Sequence, residues 1–204
     1  MTQFRLAGFW SICSVYCACV LSSPASWAQV QGWSEEKQLV QAGTIEDRVT
    51  TPAIAVNGNN VYIVYRQRQI KIIHSTDLGK TWSEPVTINP NQPINNYPAI
   101  AVFDSKLVVV WSSLIKIESG LNSLQLFYAE SSNRGISWSE PKRLTQTREM
   151  TLKPTFLHVG DTALLTWLET PLPETLGNLS AEATTALNPD SIDRLFEPGS
   201  LSQS

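Results

Sequence analysis

Three stretches of this chain align with one another without a gap, and that repetition limits the fold more than any other feature of the sequence. They are Pro52–Tyr65 (PAIAVNGNNVYIVY), Pro98–Trp111 (PAIAVFDSKLVVVW) and Pro154–Trp167 (PTFLHVGDTALLTW). In each, a proline is followed thirteen residues later by a large aromatic. The middle carries turn residues: Asn57-Gly58-Asn59, Asp104-Ser105 and Gly160-Asp161. Runs rich in β-branched residues on either side of such a turn predict a β-hairpin. Proline fits the first strand position, because no ladder N–H is needed there.

A second unit follows the first two hairpins. Ile70–Pro85 reads IKIIHSTDLGKTWSEP and Leu124–Pro141 reads LQLFYAESSNRGISWSEP, each a strand, a polar turn and Trp-Ser-Glu-Pro leading into another strand. Trp33-Ser34-Glu35 repeats the start of that last piece, and the tryptophans Trp33, Trp82 and Trp138 recur at intervals of 49 and 56 residues. Four strands in a period of about 40–55 residues mark a propeller blade. The chain is therefore expected to be all-β, a partial β-propeller: one strand, then sheets of four and four, then two more strands, about two and a half four-stranded blades.

The flanks read differently. Residues 1–28 carry one charge, Arg5, then an apolar run from Leu6 to Leu21 and the small-residue end Ser22–Ala28. That is the pattern of a secretory signal peptide cleaved after Ala28. The run is too short and too interrupted for a spanning helix, which needs about 20 apolar residues. The expectation is a secreted or periplasmic/extracellular product with no stable membrane insertion once the signal is removed. All three cysteines (Cys13, Cys17, Cys19) lie in this segment and the chain has two histidines, so neither a metal site nor a cofactor is expected. A formal net charge of -3 argues against nucleic acid as a partner. After the propeller segment, 29–169, residues 170–204 hold four prolines, nine Ser or Thr and one aromatic, Phe196. Such a tail cannot bury enough apolar surface to order itself, and disorder is expected there.

The polar turn carries a family resemblance. Ser75-Thr76-Asp77-Leu78-Gly79-Lys80-Thr81-Trp82 resembles the Asp-box, the bacterial neuraminidase repeat of sialidase-like propellers. Ser131-Ser132-Asn133-Arg134-Gly135-Ile136-Ser137-Trp138 is similar, with Asn133 for the Asp and Ser137 for the Thr. The resemblance covers residues 33–169 and implies a structural role for Ser75, Asp77, Gly79, Thr81 and Trp82 and for Ser131, Asn133, Gly135, Ser137 and Trp138. In local terms, an Asp side chain bonds following backbone amides, Gly supplies a positive φ, and Trp packs apolar surface between strands. The resemblance places these turns away from any substrate, so Asp77 is not expected to be a catalytic acid.

Strand order then nominates a ligand face. In an up-and-down blade the turns between strands 1 and 2 and between strands 3 and 4 share one face, and the remaining connections share the other. That second face would carry Glu46, Asp47, Arg48, Thr50, Arg66, Gln67, Arg68, Asn95, Asn96, Tyr97, the connection Ser112–Ser123, and Arg148, Glu149 and Lys153. Arg48, Arg66, Arg68, Asn96 and Tyr97 are the ligand-face candidates, with Arg66 and Arg68 expected on an exposed loop. The resemblance implies an arginine two residues before each hairpin proline in an active sialidase, and those positions are Thr50, Asn96 and Leu152. No catalytic residue is assigned on this basis. The expectation is a non-catalytic module that recognises a glycan or a protein partner. The alternative is a fragment or subunit of a sialidase-type exo-glycoside hydrolase. Eleven strands do not close a ring, which makes a homo-oligomer that completes the propeller a further expectation.

Overall fold

The computed structural model describes residues 4–6 (backbone only), 36–41, 47–91, 95–103, 105–117, 119–159 and 162–172. Among the described residues there are twelve strands and no helix. They are β1 (Phe4–Leu6), β2 (Lys37–Val40), β3 (Thr50–Asn57), β4 (Asn60–Gln67), β5 (Gln69–Ser75), β6 (Val86–Thr87), β7 (Asn95–Phe103), β8 (Lys106–Lys116), β9 (Asn122–Ser131), β10 (Lys142–Arg143), β11 (Met150–Val159) and β12 (Thr162–Thr170). All pairings are antiparallel, in four-stranded sheets β3-β4-β5-β6 and β7-β8-β9-β10 and two-stranded sheets β1-β2 and β11-β12. This is a partial propeller: two full blades, an unfinished third, and an outer strand ahead of the first. Most of the leader segment 1–28 lies outside the described residues, as does the tail beyond Leu172.

The alternation in each hairpin explains how the blades stack. In the first hairpin Ala53, Ala55, Tyr62 and Val64 point one way and Ile54, Val56, Val61 and Ile63 the other, as the pairs Ala53↔Val64, Ile54↔Ile63 and Ala55↔Tyr62 require. Ala55, Tyr62, Val64, Ile70, Ile72 and Ile88 of the first blade meet Ile100, Val102, Leu107, Val109 and Trp111 of the second in one buried cluster. Small residues on the inner strand let the two sheets approach, and Trp111 is fully buried in the same cluster. A smaller cluster, Val40, Val49, Ile63, Tyr65 and Ile73, joins β2 to the opposite face of the first blade.

Two sequence expectations change. The prolines do not open the strands: β3, β7 and β11 begin two to four residues earlier, and the register slips at Thr50/Ala53, Asn96/Ala99 and Leu152/Thr155. Each proline thus occupies a β-bulge, the other place where its missing N–H is tolerated. The connection read as Ser112–Ser123 is mostly strand, since β8 runs on to Lys116 and β9 starts at Asn122. The pair Ser112-Ser113 interrupts the apolar run of β8 and hid that extension.

Candidate functional site

The two polar turns have one bonding scheme. Ser75 Oγ accepts from the amides of Asp77 (3.2 Å) and Gly79 (2.8 Å) and donates to Asp77 Oδ1 at 2.7 Å. Asp77 in turn accepts from Thr81 N at 2.9 Å and Thr81 Oγ1 at 2.7 Å. These bonds from the Thr81 amide and hydroxyl and from Ser75 hold the Asp77 carboxyl well below the usual carboxylate range. In the second turn Ser131 Oγ and Asn133 Oδ1 repeat the pattern, with Ser137 N donating to Asn133 Oδ1 at 3.0 Å. One bond reverses: Asn133 Nδ2 donates to Ser137 Oγ at 2.8 Å, where Thr81 had donated to Asp77. Trp82 and Trp138 are half-buried, and their indole N–H groups donate to Gly79 O (2.9 Å) and Gly135 O (3.2 Å). Gly135 has φ +86°, the left-handed region that favours glycine, and a Cβ there would also sit tightly, 3.2 Å from Leu107 Cδ1. The role of the leading Ser was legible only as its presence in both copies.

Backbone bonds Leu78 N→Asn59 O (3.0 Å) and Arg134 N→Ser105 O (3.3 Å) tie each polar turn to the hairpin turn of its own blade. Those turns therefore share one face. The opposite face begins at the bulges. Thr51, Tyr97 and Lys153, each immediately before its proline, have positive φ of 48°, 51° and 51°. Positive φ is uncommon for a non-glycine residue, and a bulge re-aims the side chain that adopts it. All three line one cleft of about 360 Å³, the axial cleft, together with Pro52, Pro98 and Pro154 and the first residues beyond them on the inner strands β3, β7 and β11. Lys153 Nζ lies 5.8 Å from the centroid of the Tyr97 ring, a cation–π arrangement. Thr51 Oγ1 is buried with no hydrogen-bond partner among the described residues. None of the residues lining the cleft is Asp or Glu.

A second cleft of about 420 Å³ is lined by Ile117, Ser119, Arg143, Gln146, Thr147 and Arg148. Gln125, fully buried on β9, holds this wall in place. Its Nε2 donates to Glu149 O (2.8 Å), and its Oε1 accepts from Thr147 N (3.2 Å), Thr145 Oγ1 (3.2 Å) and Arg143 Nη2 (3.3 Å). Thr151 continues the network, accepting from Leu126 N at 3.1 Å while Ser112 Oγ donates to its carbonyl.

The nominated residues divide. Tyr97 lines the axial cleft. Asn96 is buried, with its Oδ1 accepting from Tyr97 N at 3.0 Å, so it supports the bulge. Arg66 is not on an exposed loop: it is the penultimate residue of β4, is 3% exposed, and its Nε donates to Thr50 Oγ1 at 2.9 Å. Cross-strand pairing with Thr50 draws it inward. Arg68 is exposed and pairs with Asp47 at 2.8 Å, while Arg48 is half-buried and outside both clefts. Thr51 and Arg143 were not singled out from sequence, although Thr51 and Lys153 hold the repeat position of Tyr97. Among the described residues no group of three His, Cys, Asp or Glu could hold a metal ion.

No family model matches the sequence and no curated protein matches it. Solved structures do. An exo-1,5-alpha-L-arabinanase from a bovine ruminal metagenomic library is similar at a TM-score of 0.50 and 11% identity, over 74% of this chain and 61% of that one. A point mutant of the Cellvibrio cellulosa alpha-L-arabinanase gives 0.50 and 12%, over 68% of this chain and 54% of that one. The chain thus spans little more than half the length of these neighbours. At such identity the likeness shows the fold, a propeller-like all-β array. These neighbours are arabinanases rather than sialidases, so the comparison supports the propeller and adds nothing to the sialidase branch of the resemblance.

Proposed function

We propose that the chain is an exported, non-catalytic glycan-recognition module whose binding surface is the axial cleft at Thr51, Tyr97 and Lys153. The observation that carries this reading is the lining itself: an aromatic ring and an ammonium group converge there, and among the described lining residues there is no carboxylate. An aromatic face with nearby donors suits the apolar faces and hydroxyls of a sugar. Glycoside hydrolysis in most families needs two Asp or Glu residues flanking the scissile bond. The two polar turns, with their shared bonding scheme, support membership in the Asp-box group of propellers. Residues 1–28 support export, which N-terminal sequencing of the product would check.

The test is a calorimetric titration of the purified chain with arabinohexaose and with sialyllactose, beside a hydrolysis assay on both. The reading expects saturable binding of at least one, at least about tenfold weaker in Tyr97→Ala, about 1.4 kcal/mol, and no released sugar. Turnover of either compound by the purified chain would overturn it in favour of the hydrolase alternative.

A further inference from the structure

The second cleft shares no lining residue with the axial one. Its walls come from two connections, β8 to β9 and β10 to β11, which emerge on the face opposite the polar turns. On the first wall Ile117 is buried and Gly120 N donates to its carbonyl at 2.8 Å, a tight turn in which Gly120 has φ +82° and Ser119 is exposed. The second wall carries Arg143, half-buried, and Arg148, exposed.

The two arginines are held differently from the other cations of this face. Arg68 is neutralised by Asp47, and Lys153 lies over the Tyr97 ring. Arg143 is fixed by neutral oxygens instead: Nε donates to Thr145 O at 2.6 Å and Nη2 to Gln125 Oε1 at 3.3 Å. Because Gln125 is fully buried and tied to Glu149 O and Thr147 N, it sets the guanidinium plane without neutralising its charge. Nε and Nη2 form one side edge of the fork, which leaves the outer Nη1–Nη2 edge without an acceptor among the described residues. Arg148 makes no ion pair among the described residues. Acids stand near this wall, since Glu169 Oε1 accepts from Thr147 Oγ1 at 3.0 Å and Glu149 follows Arg148, yet no carboxylate lines the cleft among the described residues.

We infer that this cleft is a separate subsite for the carboxylate of an acidic sugar, a uronic acid residue. A carboxylate matches a pair of guanidinium N–H groups bidentately, and the outer edge of Arg143 presents such a pair in a preset plane. Arg148 adds a second positive charge. Gln146, Thr147 and Ser119 supply amide and hydroxyl groups for the sugar's own hydroxyls. The volume of about 420 Å³ lies within the range of small-molecule sites, about 300–1,000 Å³. The inference takes the class of ligand from the glycan reading but uses no residue of the axial cleft.

Calorimetric titration of the full chain with trigalacturonic acid tests it, with arabinohexaose as the neutral probe. Trigalacturonate should bind saturably, more weakly as salt is added. Arg148→Ala, at an exposed position where circular dichroism should not change, should weaken it by about tenfold or more. Arg143→Lys, which keeps the charge but not the fork, should weaken it as well. Tyr97→Ala should leave trigalacturonate binding unchanged, and Arg148→Ala should leave arabinohexaose binding unchanged. Glu118 stands between two lining residues in sequence and lies outside the described residues; Glu118→Gln should bind trigalacturonate at least as tightly as the parent, because an anion gains when a neighbouring negative charge is removed. Absence of trigalacturonate binding, equal binding by Arg148→Ala, or loss in Tyr97→Ala or Glu118→Gln would each overturn the inference. Displacement by an equal concentration of sulfate would also overturn it, in favour of a site for any anion. If it fails while arabinohexaose still binds through Tyr97, the axial-cleft reading stands; loss of every glycan signal removes both.

Discussion

Gln125→Met removes five hydrogen bonds at nearly constant side-chain volume, and the result should be read at the ligand face rather than only in the core. The carboxamide is fully buried and bonds Glu149 O, Ser123 Oγ, Thr147 N, Thr145 Oγ1 and Arg143 Nη2. Three of these partners tolerate its loss. Thr145 Oγ1 still accepts from Leu126 N and pairs with Thr151 Oγ1, Ser123 Oγ still donates to Glu149 O, and Arg143 Nε keeps Thr145 O. Thr147 N is the partner left without an acceptor, since Glu149 O keeps Ser123 Oγ, and an orphaned buried group costs about 1–3 kcal/mol. Thr147 is half-buried, so water recovers part of the loss and about 1–2 kcal/mol is expected in total. Urea denaturation gives the stability, and hydrogen exchange at Thr147 reports the wall of the second cleft directly. Exchange there should accelerate beyond the change in global stability. A variant within about 0.5 kcal/mol of the parent, the ordinary range for a surface substitution, with unchanged Thr147 exchange would refute the network as the support of this wall.

Trp138→Ala should cost about 2–3 kcal/mol in urea melts, below the range for a fully buried tryptophan because the ring is only half-buried against the inter-blade cluster; an unchanged midpoint would contradict the packing. Asp77 is held ionised by its bonds, so its folded pKa lies below the unfolded value near about 4. Its contribution is present above that value and is lost as pH falls below it. The difference in Tm between the parent and Asp77→Asn should therefore shrink below about pH 4, with the Asn133 turn as a non-titrating control; a pH-independent difference would count against the bonding scheme. Tyr65 is buried with its hydroxyl unpartnered, and burial pushes its pKa up to about 12. Tyr65→Phe should stabilise the chain by about 1 kcal/mol at neutral pH. Because the folded pKa exceeds the unfolded value of about 10, the parent should lose further stability against this variant above about pH 10. A destabilised Phe variant would show that the hydroxyl has a partner after all.

The blades were legible because a hairpin needs only alternation and a turn, and Pro52–Tyr65, Pro98–Trp111 and Pro154–Trp167 display both. The cleft was less so. Thr51, Tyr97 and Lys153 share neither size nor charge, and nothing in their propensities announces positive φ. Only the bulge forced by each following proline makes them equivalent. Arg66 misled for a related reason: a charge at a strand end suggests solvent, but pairing with Thr50 across the bulged strand turns it inward. Gln125 looked like the polar half of an alternating strand, and its partners, Arg143 to Glu149, arrive from a connection about twenty residues away that carries no local signal.

The central claim, that the axial cleft is the recognition surface and the polar turns are scaffold, is tested most directly by chemical-shift mapping of isotope-labelled protein during a glycan titration. The account predicts shifts concentrated at Thr51, Tyr97 and Lys153, with the amides of Gly79 and Gly135 unmoved. Shifts centred on those two glycines, with the cleft silent, would contradict it.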